Sequence, residues 1–445
     1  MGRYLDTLIL KTKDLFNKEG VPGFLALLLS LLDEKVCLNW QAMLDKALEE
    51  IQQTDKRRKH YCCSDPCYHK HDKLTKKIFT SVGKISFQWN RMSCKNCSKS
   101  FIPLRSFFSL DPYQNRSNEL EKIVVEVVSE QSYRRSSSHL NTIGSIPIPR
   151  NNLHRWVMDS DCDEIDPAGK SVETMIGDGT CYKQDPKTHK NNSNRGEVRI
   201  VVGIKKDGTL VPYGAWTDKT WGRIGQQIKN ANHKNKKLKF EPIANLLVSD
   251  GEESLIKGLS KVTANTQRCQ WHITHDLPSS LRYQDGESLE ETRKTQKELA
   301  GIINIGIPEK EYEQVTMEDR LTLSRDIWEA EKKLDELCEH FKSKGYKKAY
   351  TYLQNAKGQM FNYLRLWMKT GIVAPKVSSM IERMMREIGR RIKKIGHGWS
   401  PEGAAKMTRI IIKRITSAKE WDEYWNNKLK IDDSVEFKFL GAKLV

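Results

Sequence analysis

The sequence predicts an α+β chain with a mixed α/β centre, and three observations lead there. Five of the ten cysteines crowd between positions 62 and 97 among short alternating stretches, as small strands around a metal do. Over residues 172–271 apolar runs of strand length alternate with helical spacing. Residues 285–396 then carry apolar positions at helical spacing almost without interruption.

Taken in order, residues 1–56 show helical spacing at Leu5, Leu8, Leu15, Leu44, Leu48 and Ile51, with Pro22-Gly23 as a break and no chemistry. Residues 57–110 read as a zinc-ribbon-like unit. Cys94-Lys95-Asn96-Cys97 offers two thiolates from one tight turn, and Cys63-Ser64-Asp65-Pro66-Cys67 supplies a second pair. The expected ligands of a structural Zn²⁺ are therefore Cys63, Cys67, Cys94 and Cys97. Cys62 can replace Cys63 in that set, and His60, His69 or His71 can replace one thiolate. Ten cysteines in 445 residues are too few for a disulfide scaffold, and their clustering fits metal ligation in a reducing compartment.

Residues 115–160 follow as three short helices, 118–129, 133–140 and one opened by Pro149. If they form a helix-turn-helix, Arg150, Asn151, Asn152, His154 and Arg155 face a DNA groove from the third helix; in a plain three-helix linker the same residues are a solvated face. Residues 170–283 supply a strand at 172–176, a hairpin of 198–205 and 209–216 around Asp207-Gly208, a helix at 221–232 and a strand at 243–248. Gly177-Asp178-Gly179 and Ser249-Asp250-Gly251 each set an aspartate at the end of an apolar strand, where α/β sheets hold functional carboxylates. Asp207-Gly208 is turn chemistry, but Asp250 precedes a helix start at Glu252-Glu253-Ser254 and so stands at a strand-to-helix edge. Two aspartates on neighbouring strands suit Mg²⁺, which takes one or two protein carboxylates and leaves room for phosphate oxygens. A third carboxylate would complete a two-metal site.

Residues 284–374 are helical, with Gly345 dividing two apolar stripes, and residues 375–445 continue as helices. On the helix around residue 382 the apolar stripe includes Met380, Ile381, Met384, Met385 and Ile388, flanked by both Glu382 and Glu387. Glu382 shares its side with Arg386 and Lys393, which can hold DNA backbone or simply form a salt-bridged face.

The ordered series Gly177-Asp178-Gly179, Ser249-Asp250-Gly251, Cys269-x-x-His272, a helical stretch, Ser379-Met380-Ile381-Glu382 and Gly398-Trp399-Ser400 resembles the prokaryotic DDE insertion-sequence transposases of the ISLre-like group, related to Mutator transposases. The resemblance spans roughly residues 60 to 415; its single motifs are short, and its specificity lies in their order. It implies a ribonuclease H-like core over 170–283, an all-helical insertion over 284–374 and a core completion over 375–445. It also implies Asp178, Asp250 and Glu382 as ligands of two Mg²⁺ ions, with Mn²⁺ able to substitute, and Cys269 with His272 as a signature pair beside them. Read from residues alone, that pair suits a nucleophile with its base, zinc ligation, the positioning of a phosphate or carboxylate, or a buried strand-end contact. Two departures stand out: Arg383 follows Glu382 where a glycine is commoner, and Cys62 is an extra cysteine.

Charge agrees with a polyanionic partner. Lys plus Arg number 75 against 57 Asp plus Glu, a net +18, in a chain still 38% apolar. The longest apolar run, 21–32, falls short of the ~20 residues a membrane span needs. The expected partner is double-stranded DNA, as element ends and target, held by a homodimer or higher oligomer in the cytoplasm and on the nucleoid when bound. The expected activity is Mg²⁺-dependent cutting of element ends and joining of 3′-hydroxyls to target DNA. The rival expectations are a zinc and helix-turn-helix regulator on an inactive transposase scaffold, and a structure-specific nuclease of the same fold.

Overall fold

In a computed structural model of the chain, the described residues are 62–429 apart from 82, 104, 106–109, 145–146, 187–194, 234–239 and 395–397. The helical segment expected over 1–56 and His60 lie outside them. The chain divides into two compact units, residues to 162 together with 419 onward, and residues 163–418.

The first unit begins with an antiparallel hairpin of β1 (Tyr68–Thr80) and β2 (Gly83–Cys94), bulged between Lys70 and Asp72, to which β3 (Ser100–Phe101) adds along β2. Phe87 and Trp89 alternate inward from β2, the period-two burial expected of a half-covered strand. Three helices follow: α1 (Asn118–Glu130), α2 (Tyr133–Gly144) and α3 (Arg150–Asp159). Ser117 caps α1, its hydroxyl accepting from the Leu120 amide at 3.2 Å, and Pro149 precedes α3, where a missing N–H costs nothing. Leu120, Val124 and Val128 of α1 are buried, as are Leu153 and Trp156 of α3.

The second unit is built on a five-stranded mixed sheet of β4 (Thr174–Lys183), β5 (Arg195–Ile204), β6 (Leu210–Thr217), β7 (Ala244–Ser249) and β8 (Thr263–Arg268). Its order is β6-β5-β4-β7-β8, with β4 to β6 an antiparallel meander and β7 and β8 parallel to β4. The β5–β6 turn is Asp207-Gly208, with Gly208 at φ 81° and the Thr209 amide donating to Asp207 Oδ1 at 2.9 Å. Helices α4 (Trp221–Asn232) and α5 (Glu253–Leu259) cover one face, packing Ile224, Ile228, Leu255 and Leu259 against Met175 and Leu247. They approach so closely that a Cβ on Gly225 would strike the Gly258 carbonyl.

One expected boundary shifts. The strand anticipated at 172–176 begins at Thr174 and runs on through Gly177-Asp178-Gly179 to Lys183, so Asp178 lies mid-strand opposite Ile200 rather than at a strand end. The flanking glycines are packing devices, not stop signals. A Cβ on Gly177 would sit 3.0 Å from Leu259 Cδ1, and one on Gly179 would meet the Glu197 carboxylate.

After β8, α6 (Gln270–Ser279) runs into a π-helical turn, Ser280–Gln284. Four helices follow: α7 (Leu289–Ile303), α8 (Met317–Ser343), α9 (Lys347–Lys357) and α10 (Asn362–Thr370). They share a core through Leu299, Leu334, Phe341, Leu353, Leu364 and Trp367. Gly345, at φ 78°, makes the turn between α8 and α9. The chain then returns to the sheet with α11 (Ser379–Ile392), close to β4, and α12 (Pro401–Thr416), along β6. The last described helix, α13 (Ala418–Leu429), belongs with the first unit. Its Lys428 ammonium reaches Glu121 at 2.9 Å, while Arg116 reaches the other oxygen of the same buried carboxylate at 2.7 Å. Two cations thus compensate one buried anion. Among the described residues no helix is long and apolar enough to cross a membrane.

Candidate functional site

Two clusters of ligand-type side chains stand out, one in each unit. In the first unit the sulfurs of Cys62, Cys63, Cys94 and Cys97 all lie within 4.8 Å of one another. Cys94 ends β2, and the Ser98 amide donates to the Cys94 carbonyl at 2.9 Å, closing the turn that brings Cys97 back. Cys63 and Cys94 sulfurs are 3.8 Å apart, and those of Cys62 and Cys63 3.9 Å. Burial raises the Cys94 thiol, but the backbone amides of Cys97, Asn96 and Cys67 outweigh it and bring the pKa down to about 6. Burial and the neighbouring Cys94 and Cys62 thiols push Cys63 up to about 12. Four soft sulfur donors in this arrangement can hold a metal such as zinc.

The cluster differs from the expected ligand set at one position. Cys67 lies outside the cluster and is exposed; it contributes its backbone, accepting from the Lys95 amide at 2.8 Å and donating to the Cys94 sulfur, while Cys62 supplies the fourth thiol. The chain turns at Ser64-Asp65-Pro66, and Cys67 meets the Cys94 sulfur through its amide rather than its thiol. His69 and His71 are not part of the cluster either; His71 Nδ1 lies 3.7 Å from Asp72.

On α3 of the same unit, Arg150, Asn151, His154 and Arg155 are exposed and Asn152 is half-buried, accepting from Arg155 Nη2 at 3.3 Å. The His154 ring stands edge-on to Tyr133 at 5.2 Å.

The second cluster gathers at the centre of the sheet. Burial pushes the Asp178 carboxyl up to about 6; the Gly179 amide, donating at 2.6 Å, opposes the rise, Asp250 and Glu382 add to it, and His272 opposes it. The three carboxylates and the histidine are thus near enough to act on one another's charge, although they come from β4, the turn after β7, α11 and α6. Asp250 Oδ1 also accepts from the Glu252 amide at 3.0 Å, which fixes the turn. Glu382 sits in the first turn of α11 and faces this group, whereas Glu387 pairs with Arg390 at 2.6 Å. Arg386 and Lys393 are exposed.

Sequence reading missed the residue that ties the cluster together. Ser378, buried just before α11, has its hydroxyl 3.2 Å from Glu382 Oε1, 3.3 Å from the Cys269 sulfur and 3.5 Å from His272 Nδ1. Its amide donates to the Cys269 sulfur at 3.3 Å. A hydroxyl has one proton to give. When His272 Nδ1–H donates to Ser378 Oγ, that proton goes to Glu382, and the sulfur keeps the amide. Cys269 raises the His272 pKa against the opposing effect of burial. His272 and Ser378 in turn hold the Cys269 thiol below its usual range, although burial pushes it up. No pattern marked Ser378, because a serine before a helix is the commonest of caps.

No family model matches the chain, and no curated protein matches it. Among solved structures, the Drosophila P element transposase strand transfer complex is similar at 13% identity, over 69% of this chain and 80% of that chain, with a TM-score of 0.23. A score that low assigns neither fold nor role.

Proposed function

We propose that the chain is a DNA transposase that cuts the ends of its element and joins the released 3′-hydroxyls to target DNA. The observation that carries this reading is the Asp178 carboxyl, raised to about 6 by burial and by the charges of Asp250 and Glu382. Carboxylates gathered from three distant segments at such a cost call for a hard cation to relieve their repulsion. The strand order, counted from β4 as 3-2-1-4-5, is also that of a ribonuclease H-like sheet, and the helical block lies between Asp250 and Glu382 as the ISLre-like and Mutator resemblance requires.

On this reading Asp178, Asp250 and Glu382 hold two Mg²⁺ ions, or Mn²⁺. When bound, such ions stabilise the attacking and leaving oxygens of an in-line phosphoryl displacement. The protein's own residues orient and tune: Ser378 fixes the Glu382 carboxylate, and His272, its pKa raised by Cys269, eases the ionisation of Asp178. The thiolate cluster has a structural role with Zn²⁺, and α3 supplies Arg150, Asn151, His154 and Arg155 to DNA. Acting on two ends calls for at least a dimer.

The test is metal-dependent cleavage and strand transfer on DNA carrying the gene's own flanking ends. Asp250→Asn and Glu382→Gln are expected to bind DNA as wild type does while losing at least about a thousandfold in cleavage, the effect of withdrawing several kcal/mol of charge stabilisation. A wild type that binds these ends and never cuts them makes the protein a regulator; one that cuts without joining makes it a nuclease.

A further inference from the structure

The second unit holds a buried cation that the cluster described above does not use. Arg268 ends β8, paired in parallel register with Ser249 at the end of β7, and is only 8% exposed. Its Nε is enclosed and has no hydrogen-bond partner, and Arg268 makes no ion pair among the described residues. Around its guanidinium lie Tyr352, whose ring is 5.3 Å away and whose hydroxyl accepts a hydrogen bond from it, and the backbone of Gly251.

The sequence provides deliberately for this placement. Gly251 has φ 103°, which an L side chain rarely adopts, and the Arg268 guanidinium occupies the space its Cβ would need. Any other residue after Asp250 would expel the arginine. A nearly buried cation with no ion pair carries a desolvation penalty that an aromatic face and a phenol hydroxyl only partly offset. In the first unit the buried Arg116 and Glu121, by contrast, pair with each other. Arg268 also stands at the carboxyl ends of two parallel strands, where open α/β sheets bind their ligands.

We propose that Arg268 is an anion-binding residue that takes a phosphate oxygen of the substrate beside Asp250. Guanidinium suits this role: it stays charged at every relevant pH and presents a planar fork to phosphate. That the phosphate is a DNA phosphodiester rests on the function proposed above; that the site takes a phosphate-type anion does not. The glycine after Asp250 and the arginine are one device, the first making room for the second.

The experiment uses the full chain, with Arg268→Met to keep the buried stem, Arg268→Gln as a second neutral variant should Arg268→Met not fold, and Arg268→Lys to keep the charge. Thermal midpoints are measured with inorganic phosphate replacing chloride at equal ionic strength, and binding to flanking-end DNA is measured against salt. In phosphate the wild-type midpoint should rise, since a ligand of the native state alone stabilises it, and that of the neutral variant should not. Without phosphate the neutral variant should melt at or above wild type, because an uncompensated cation has been removed. Its log Kd against log salt slope should fall by about 0.9, one phosphate contact, with Arg268→Lys intermediate. A neutral variant that melts lower than wild type and still gains as much from phosphate overturns the proposal: the arginine then only braces the Gly251 turn. Phosphate protection lost with the charge, in a protein whose DNA binding is unaltered, keeps the anion site and overturns DNA as its source.

Discussion

The cysteine cluster and the carboxylate cluster are opposite solutions to holding ionisable ligands together. The first draws on residues 62–97, almost entirely from one hairpin and its flanks; the second draws on residues 178–382, from a mid-strand position, a turn and two helices. Backbone amides bring one thiol of the first down to about 6, so that a thiolate is already favoured there. In the second, burial and mutual repulsion push Asp178 up to about 6, so that ionisation is resisted. A site organised by amides around soft donors is finished once its metal is in, which suits a structural role. One that holds hard donors under repulsion is left with electrostatic work to do on whatever binds next.

The largest test of this contrast falls on the thiolates. Cys94→Ser should abolish bound zinc, read by atomic emission, and with it the amide-exchange protection of β1 and β2, because a structural zinc carries much of a small unit's folding free energy. Cys67→Ser should retain full zinc; loss of metal there would restore the spacing-based ligand set. Next is the pH response of the metal-free carboxylate site. The Asp178 pKa is raised from 3.8 to about 6, so its contribution to stability is intact below 3.8 and disappears as pH climbs through about 6. The full difference is about 3 kcal/mol. Asp178→Asn should therefore raise the metal-free melting point at pH 7 and flatten the fall between pH 4 and 6, and a variant that melts no higher than wild type would deny that the buried carboxyl resists ionisation. Third, Glu382→Gln should weaken Mn²⁺ binding by calorimetry about tenfold, or 1.4 kcal/mol. Glu387→Gln should cost only the ~0.3 kcal/mol of an exposed pair with Arg390 and leave Mn²⁺ untouched. Smallest within the cluster is Ser378→Ala, at about 1 kcal/mol for one hydrogen bond. It should also lower the pH at which His272 titrates by NMR, and Ser378→Thr should restore it; an unmoved titration would leave Ser378 a partner of Glu382 and Cys269 alone.

How much was legible in the sequence follows the same divide. Local chemistry read well: the Asp207-Gly208 turn, the 221–232 helix, the Gly345 break and the Pro149 start all depend on neighbours in the chain. Asp178 and Asp250 showed as aspartates next to apolar strands, but the length of β4 did not, because glycines that make room for Leu259 and Glu197 look the same as glycines that end a strand. Cys67 stands outside the sulfur cluster for a related reason, since spacing counts thiols and cannot show a backbone amide at work. Ser378 and Arg268 carried no signal at all; their meaning lies in Glu382, Cys269 and Gly251, brought to them from far along the chain.

The helical block between β8 and α11 begins and ends at neighbouring points. The Arg268 amide donates to the Gln359 carbonyl at 2.9 Å, the Gln270 amide to the Lys376 carbonyl at 3.0 Å, and Ser378 returns to Cys269. In kinetic terms the block is a splint. Bringing Glu382 to Asp178 through an open chain of some two hundred residues would carry a loop-closure entropy and a contact order typical of slow folding. Local helices that collapse first on Leu334, Leu353 and Trp367 shorten that search to the few residues on either side of the splint. On that argument the three carboxylates are expected to meet late, once the helical block has closed.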